Sequence, residues 1–132
     1  MRVHRLNTEE IVVAEWKKVL YKGVEYPYTV SDEGEVKTKK GVTLATWKRG
    51  TRKGRYPCVG LWLKGKRVVV DVHRLVAIHF VPNPRGKEEV NHYDCDMGNC
   101  RASNLEWVTR SENECHKKFM EAFETKGVTK VT

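Results

Sequence analysis

The chain has 132 residues with 25 Lys/Arg against 17 Asp/Glu, a net charge of +8. That length suits one domain, or one and a fraction, able to bury about two-thirds of its unfolded surface. No apolar run approaches the ~18 residues of a membrane span, and Met1–Arg5 leads into a polar stretch rather than a signal-type apolar region, so a cytoplasmic protein without a membrane partner is expected.

In chain order, Thr8–Trp16 reads as a short helix with Glu9 and Glu10 in its first turn. Tyr28–Ser31 and Glu35–Thr38, joined by Asp32-Glu33-Gly34, read as a hairpin whose Gly34 supplies a positive φ. Val42–Trp47 is a candidate third strand. The composition then changes. Residues 1–36 carry 5 Lys/Arg and 7 Asp/Glu, residues 37–74 carry 12 and one acid, Asp71, and residues 75–132 carry 8 and 9. A block so one-sided points to a polyanion, and Gly and aromatics are interleaved through Trp47–Tyr56. Lys48, Arg49, Arg52, Lys53, Arg55, Lys64, Lys66, Arg67 and Arg74 are the candidate phosphate contacts; a solvated lysine-rich face is the bland alternative. No basic amphipathic helix speaks for an acidic membrane surface.

A clearer hairpin follows, Cys58–Leu63 and Arg67–Val72 around Lys64-Gly65-Lys66. His73–Phe80 reads as a short helix with Leu75, Val76, His79 and Phe80 near one face, ended by Asn83-Pro84. His73 and His79 read as packing or hydrogen-bonding residues. Residues 88–93 form a strand, the polar, Gly-containing stretch 94–103 a loop, and Leu105–Thr109 a returning strand. The capping-box pattern Thr109-x-x-Glu112 opens a helix to about Phe123, followed by a polar tail without a helix-turn-helix signature. Cys58, Cys95, Cys100 and Cys115 are spaced too unevenly for a disulfide framework in the expected compartment.

The strand–loop–strand–helix segment can bring Asn91, His92 and Asn113 together. Hydrolysis of a phosphodiester needs an activated water, a Lewis acid and stabilisation of the leaving oxygen. A neutral imidazole with a pKa near ~6.5 suits the first task, and a hard divalent ion held by side-chain oxygens suits the others. A lone Asn-His pair is far more often a turn or hydrogen-bonding element, Asn104 is equally a loop-closing residue, and Trp107 reads as core. Neighbours on a regular strand face opposite ways. Asn91 and His92 therefore share a site only where the strand ends or twists; otherwise Asp94 is the better ligand candidate.

The combination resembles the HNH homing endonucleases of phage and phage-intron type. The residues that carry it are Asn91-His92-Tyr93-Asp94, Asn99, Asn104-Leu105-Glu106-Trp107-Val108-Thr109, Glu112-Asn113 and His116. Val72-His73-Arg74-Leu75-Val76-Ala77 with Phe80 is also typical of that family, and Trp16 with Tyr28-x-Val30-Ser31-x-x-Gly34-x-Val36 is similar to a segment often found ahead of such cores. The resemblance implies an α+β fold, with N-terminal antiparallel β hairpins followed by a ββα-metal (HNH) nuclease core. The divisions it suggests are a basic DNA-binding region over 1–72, the nuclease core over 73–124 and a tail over 125–132.

It further implies hydrolysis of double-stranded DNA, by nicking or double-strand cutting, in the host cytoplasm if the gene is a phage's. His92 would be the general base, Asn91 and Asn113 the ligands of Mg²⁺ (or Mn²⁺ or another divalent ion), and Asn104 a structural tie. Asn91 stands where some members have Asp, which lowers the site's charge; Cys95 and Cys100 stand where Gly and Asn are usual. Two other readings compete. One is a non-catalytic DNA-binding module with a degenerate core. The other is a structural zinc site from Cys95, Cys100, Cys115 and His116, whose spacing is poor for zinc.

Overall fold

A computed structural model describes residues 3–5, 11–50 and 56–113. Ten strands are described: β1 (Val3–Arg5), β2 (Ile11–Val13), β3 (Trp16–Tyr21), β4 (Val24–Ser31), β5 (Val36–Thr38), β6 (Trp47–Arg49), β7 (Tyr56–Leu63), β8 (Lys66–Asp71), β9 (Glu89–His92) and β10 (Leu105–Val108). One helix, α1 (Val72–Phe80), lies between β8 and β9, and residues 110–113 are helical after β10. The strands pair as β1-β2, β3-β4-β5, β6-β7-β8 and β9-β10, all antiparallel.

The two three-stranded sheets follow from local chemistry. Two-residue turns join β3 to β4 and β7 to β8. Both are Lys-Gly, with positive φ at each residue: 51° and 78° at Lys22 and Gly23, 50° and 77° at Lys64 and Gly65. A type I′ turn needs this, and its twist matches that of the flanking strands. The β4–β5 and β7–β8 hairpins fall where the sequence puts them.

Two expectations fail. Ile11–Val13 is β2 and Trp16 opens β3, so no helix runs to Trp16. The β-branched run Ile11-Val12-Val13 favours extended backbone, and a strand partner outweighs a weak first-turn signal. The strand expected at Val42–Trp47 comes later, at Trp47–Arg49, leaving Thr43 only an isolated bridge to Lys37.

α1 is the element the rest packs on. Its Val72, Leu75, Val76 and Ala77 are buried against Val19, Tyr28 and Val30 of one sheet, Val59, Leu61 and Val70 of the other, and Leu105 of β10. One core therefore runs from the N-terminal sheets into the β9-β10 hairpin. Polar ties fix the layers. The Trp62 N–H donates to the Tyr28 hydroxyl at 3.0 Å, linking the two sheets. At the bulge in β3, the Leu20 N–H donates to His79 Nε2 at 3.0 Å while His79 Nδ1 bonds the Leu75 carbonyl at 2.8 Å. Trp107 donates from its indole to the Val81 carbonyl at 3.0 Å and packs on the core.

Candidate active site

The β9-β10 hairpin has two faces. In its register Asn91 lies opposite Glu106, His92 opposite Leu105, and Glu89 opposite Val108. Alternation puts Val90, His92, Leu105 and Trp107 on the face toward α1. Glu89, Asn91, Glu106 and Val108 take the other face. The reciprocal capping box starts the following helix there: Thr109 N–H to Glu112 Oε1 at 2.9 Å, and Glu112 N–H to Thr109 Oγ1 at 3.2 Å. Lys87 also reaches Glu112, at 2.8 Å, and this bond does most to hold the Glu112 carboxyl down at about 2. The cap sets Asn113 beside the hairpin, where its Nδ2 donates to Glu89 Oε1 at 2.8 Å. Asn91 Nδ2 donates to Glu106 Oε1 at 2.9 Å.

His92 is the last residue of β9 and 5% exposed. Its ring lies 4.8 Å from that of His73 near the start of α1 and 6.1 Å from that of Tyr56 at the start of β7; Tyr56 and His73 are also 4.8 Å apart. Burial lowers the pKa of His92, against the opposing pull of Asp94 and Asp96. Burial, and then the neighbouring His92, take His73 down to about 4. Both rings are therefore neutral at neutral pH. Among the described residues, His92 Nε2 and His73 Nδ1 are buried without a hydrogen-bond partner. A buried polar group without a partner calls for an explanation, such as a catalytic role or a bound water or ion.

The loop between the strands closes on itself. Asn104, 9% exposed, receives the Asp94 N–H on Oδ1 at 3.2 Å. Its Nδ2 donates to Asp94 Oδ1 at 2.9 Å and to the Asn99 carbonyl at 3.0 Å. The Asp94 carboxylate also accepts from Asn99 Nδ2 and the Asp96 N–H, each at 2.8 Å; the Asn99 bond leads in lowering its pKa. Asp94 thus takes part in shaping the loop. Cys95 has φ 61°, the left-handed conformation that glycine adopts without cost, which explains the usual Gly there. Cys100 is buried, and burial takes its thiol up to about 11. Cys115 and His116 lie outside the described residues.

The candidate phosphate contacts divide. Arg49 is tied by Nε to Asp71 at 3.0 Å. Arg74 donates to the Glu88 carbonyl at 2.9 Å and lies over the Trp107 ring, holding α1 to the segment before β9. Arg67 lies over Trp47, its stem crossing Gly60, where a Cβ would come within 3.0 Å of it. Lys64 and Lys66 are exposed at the β7–β8 turn, and Lys48 is exposed on β6. Arg52, Lys53 and Arg55 lie outside the described residues. Sequence reasoning missed Tyr56, Glu89 and Glu106 and read His73 as packing. A signal existed for the two acids: Glu89-x-Asn91 is a period-two pattern, and pairing the strands sets Glu106 opposite Asn91.

A hairpin capped by a helix, with an Asn-His pair at the strand end and an Asn in the helix's first turn, is the arrangement of an HNH core. The family model described as HNH endonuclease matches residues 70–115 of this chain. The chain is 42% identical over 100 residues to DNA endonuclease I-HmuI of Bacillus phage SP01, covering 75% of this chain and 55% of that protein. It is 35% identical over 92 residues to H-N-H endonuclease F-TflII of Escherichia phage T5, covering 67% and 47% respectively. It also matches a solved structure of DNA binding and cleavage by the HNH homing endonuclease I-HmuI. There the TM-score is 0.60 and the identity 38%, over 89% of this chain and 62% of the other. The chain spans about half the length of these two curated relatives.

Proposed function

We propose that this chain carries the catalytic core of a divalent-metal-dependent endonuclease that hydrolyses phosphodiester bonds in double-stranded DNA. The observation that carries the reading is His92: a buried, neutral imidazole with an unpartnered Nε2 at the end of β9, directly after Asn91. Such a group can take a proton from water at neutral pH. The facing directions of the pair also suit the reaction. In an in-line displacement the attacking water and the leaving oxygen lie on opposite sides of phosphorus. A base and a metal ligand on opposite faces of one strand end can flank a phosphate set against that end.

The donor set fits a hard cation. Asn91 and Asn113 each commit Nδ2 to a carboxylate, so the group each can offer a metal ion is the oxygen Oδ1. Asn91 and Asn113 would hold Mg²⁺ or Mn²⁺, which would supply Lewis acidity to the phosphate and the leaving oxygen. Asn104 would fix the loop that carries His92 in place. The exposed lysines of β6 and the β7–β8 turn, with Arg67, would follow the phosphate backbone. Such an enzyme would work in the cytoplasm, where its DNA is.

The test is conversion of supercoiled plasmid with and without Mg²⁺ by the wild type and His92→Ala. Metal-dependent open circles or linears, lost in the variant while DNA binding persists, are the expected result. Cleavage retained by a folded His92→Ala would remove His92 from its role. Binding without cleavage across several divalent ions by the wild type would make the chain a binding module.

A further inference from the structure

A metal site built on two asparagines lacks charge, because an amide oxygen is a weaker ligand than a carboxylate. We propose that Glu106 and Glu89 supply what the two asparagines lack: each carboxylate holds one carboxamide with its Oδ1 turned to the cation and adds the negative charge that neutral ligands do not carry. This rests on the reading of Asn91 and Asn113 as ligands. Three observations support it. Glu106 Oε1 accepts Asn91 Nδ2 at 2.9 Å, and Glu89 Oε1 accepts Asn113 Nδ2 at 2.8 Å. Both bonds lie on the same face of the hairpin, since Glu89 is two residues before Asn91 and Glu106 is Asn91's cross-strand partner. Asn91 is only 7% exposed, so its rotamer is set by what it touches.

The physical effect has two parts. An amide free to flip offers a cation its NH₂ as often as its oxygen; a carboxylate on Nδ2 removes the wrong orientation. The same bond polarises the amide, shifting electron density toward Oδ1. Groups that back metal ligands in this way are typically worth roughly 10- to 100-fold in metal affinity. The other nearby acids have other employment: Glu112 is held by Lys87 and the helix cap, and Asp94 by the loop. Glu106 and Glu89 are positioning residues.

The test is Mn²⁺ and Mg²⁺ binding by calorimetry on the full chain, independent of cleavage, with a melting curve for each variant. Glu106→Gln and Glu89→Gln should each weaken binding by roughly 10-fold or more, while Glu88→Gln, an equal charge change at an exposed neighbour, should not. Moving the charge inward, by adding Asn91→Asp to Glu106→Gln, should recover most of the loss. If one single variant does not fold, the other and the charge-moved pair decide. Unchanged affinity in folded variants of a wild type that binds the ion overturns the inference. So does a loss that Asn91→Asp fails to recover. A wild type that binds no divalent ion overturns the metal reading beneath it.

Discussion

Cys95 occupies a left-handed position at φ 61°. An L-residue there costs roughly 1–2 kcal/mol more than glycine, partly offset by glycine's greater freedom in the unfolded chain. Cys95→Gly should therefore stabilise the fold by about 0.5–1 kcal/mol in urea denaturation; a lower midpoint would show that the thiol contributes more than the backbone loses. His73 makes the opposite kind of statement. Its folded pKa of about 4 lies below the unfolded ~6.5, so between these values the unfolded chain binds a proton that the folded one refuses. Stability is then fully present above pH ~6.5 and falls as pH drops toward 4, by about 3 kcal/mol at most. His92, shifted the same way, adds to the trend. His73→Phe should flatten the curve of denaturation midpoint against pH over that range. An unchanged slope would assign the acid sensitivity to other groups.

At the scale of elements, the loop that carries the candidate site is anchored by a turn from the N-terminal sheet. The Ala102 N–H donates to the Asp32 carbonyl at 2.8 Å, and Gly34, at φ 90°, packs its bare Cα against Cys100. A Cβ on Gly34 would meet Cys100 Cβ at 3.2 Å and the Cys100 carbonyl oxygen at 3.3 Å, on a backbone that L-residues avoid. Gly34→Ala should cost about 1–3 kcal/mol and reduce cleavage along with stability. A loss under about 0.5 kcal/mol, the size of an ordinary surface change, would mean that the turn does not brace the loop. The need for positive φ at Gly34 is legible in the sequence, because a hairpin turn demands it. That the turn also touches the loop is not, because nothing local links residues so far apart.

For the whole molecule, a single core ties the two three-stranded sheets to the hairpin through α1, so the proposed DNA-binding surface and the candidate site would move as one. With about six phosphates neutralised, the logarithm of the DNA association constant should fall against the logarithm of salt concentration with a slope near −5. Fluorescence anisotropy from low to high salt measures it. A slope close to zero would mean that the net +8 charge has little part in DNA binding.

The sequence by itself determined the local pieces: two hairpins, α1, the strand–loop–strand–helix order and the reciprocal cap of Thr109 and Glu112. Each is set by alternation, turn residues or capping within a few positions, and the run from Asn91 to Asn113 was enough to suggest the family. It misread Ile11–Trp16 because capping signals there compete with β-branched residues, and it missed β3, although Lys22-Gly23 marks its turn. Only the tertiary structure decided which faces meet. The clustering of the Tyr56, His73 and His92 rings joins three separate elements. The pairing of each asparagine with a glutamate depends on strand register and on where the helix lands. Those are properties of packing, in which burial and cross-strand geometry act between residues that no local pattern connects.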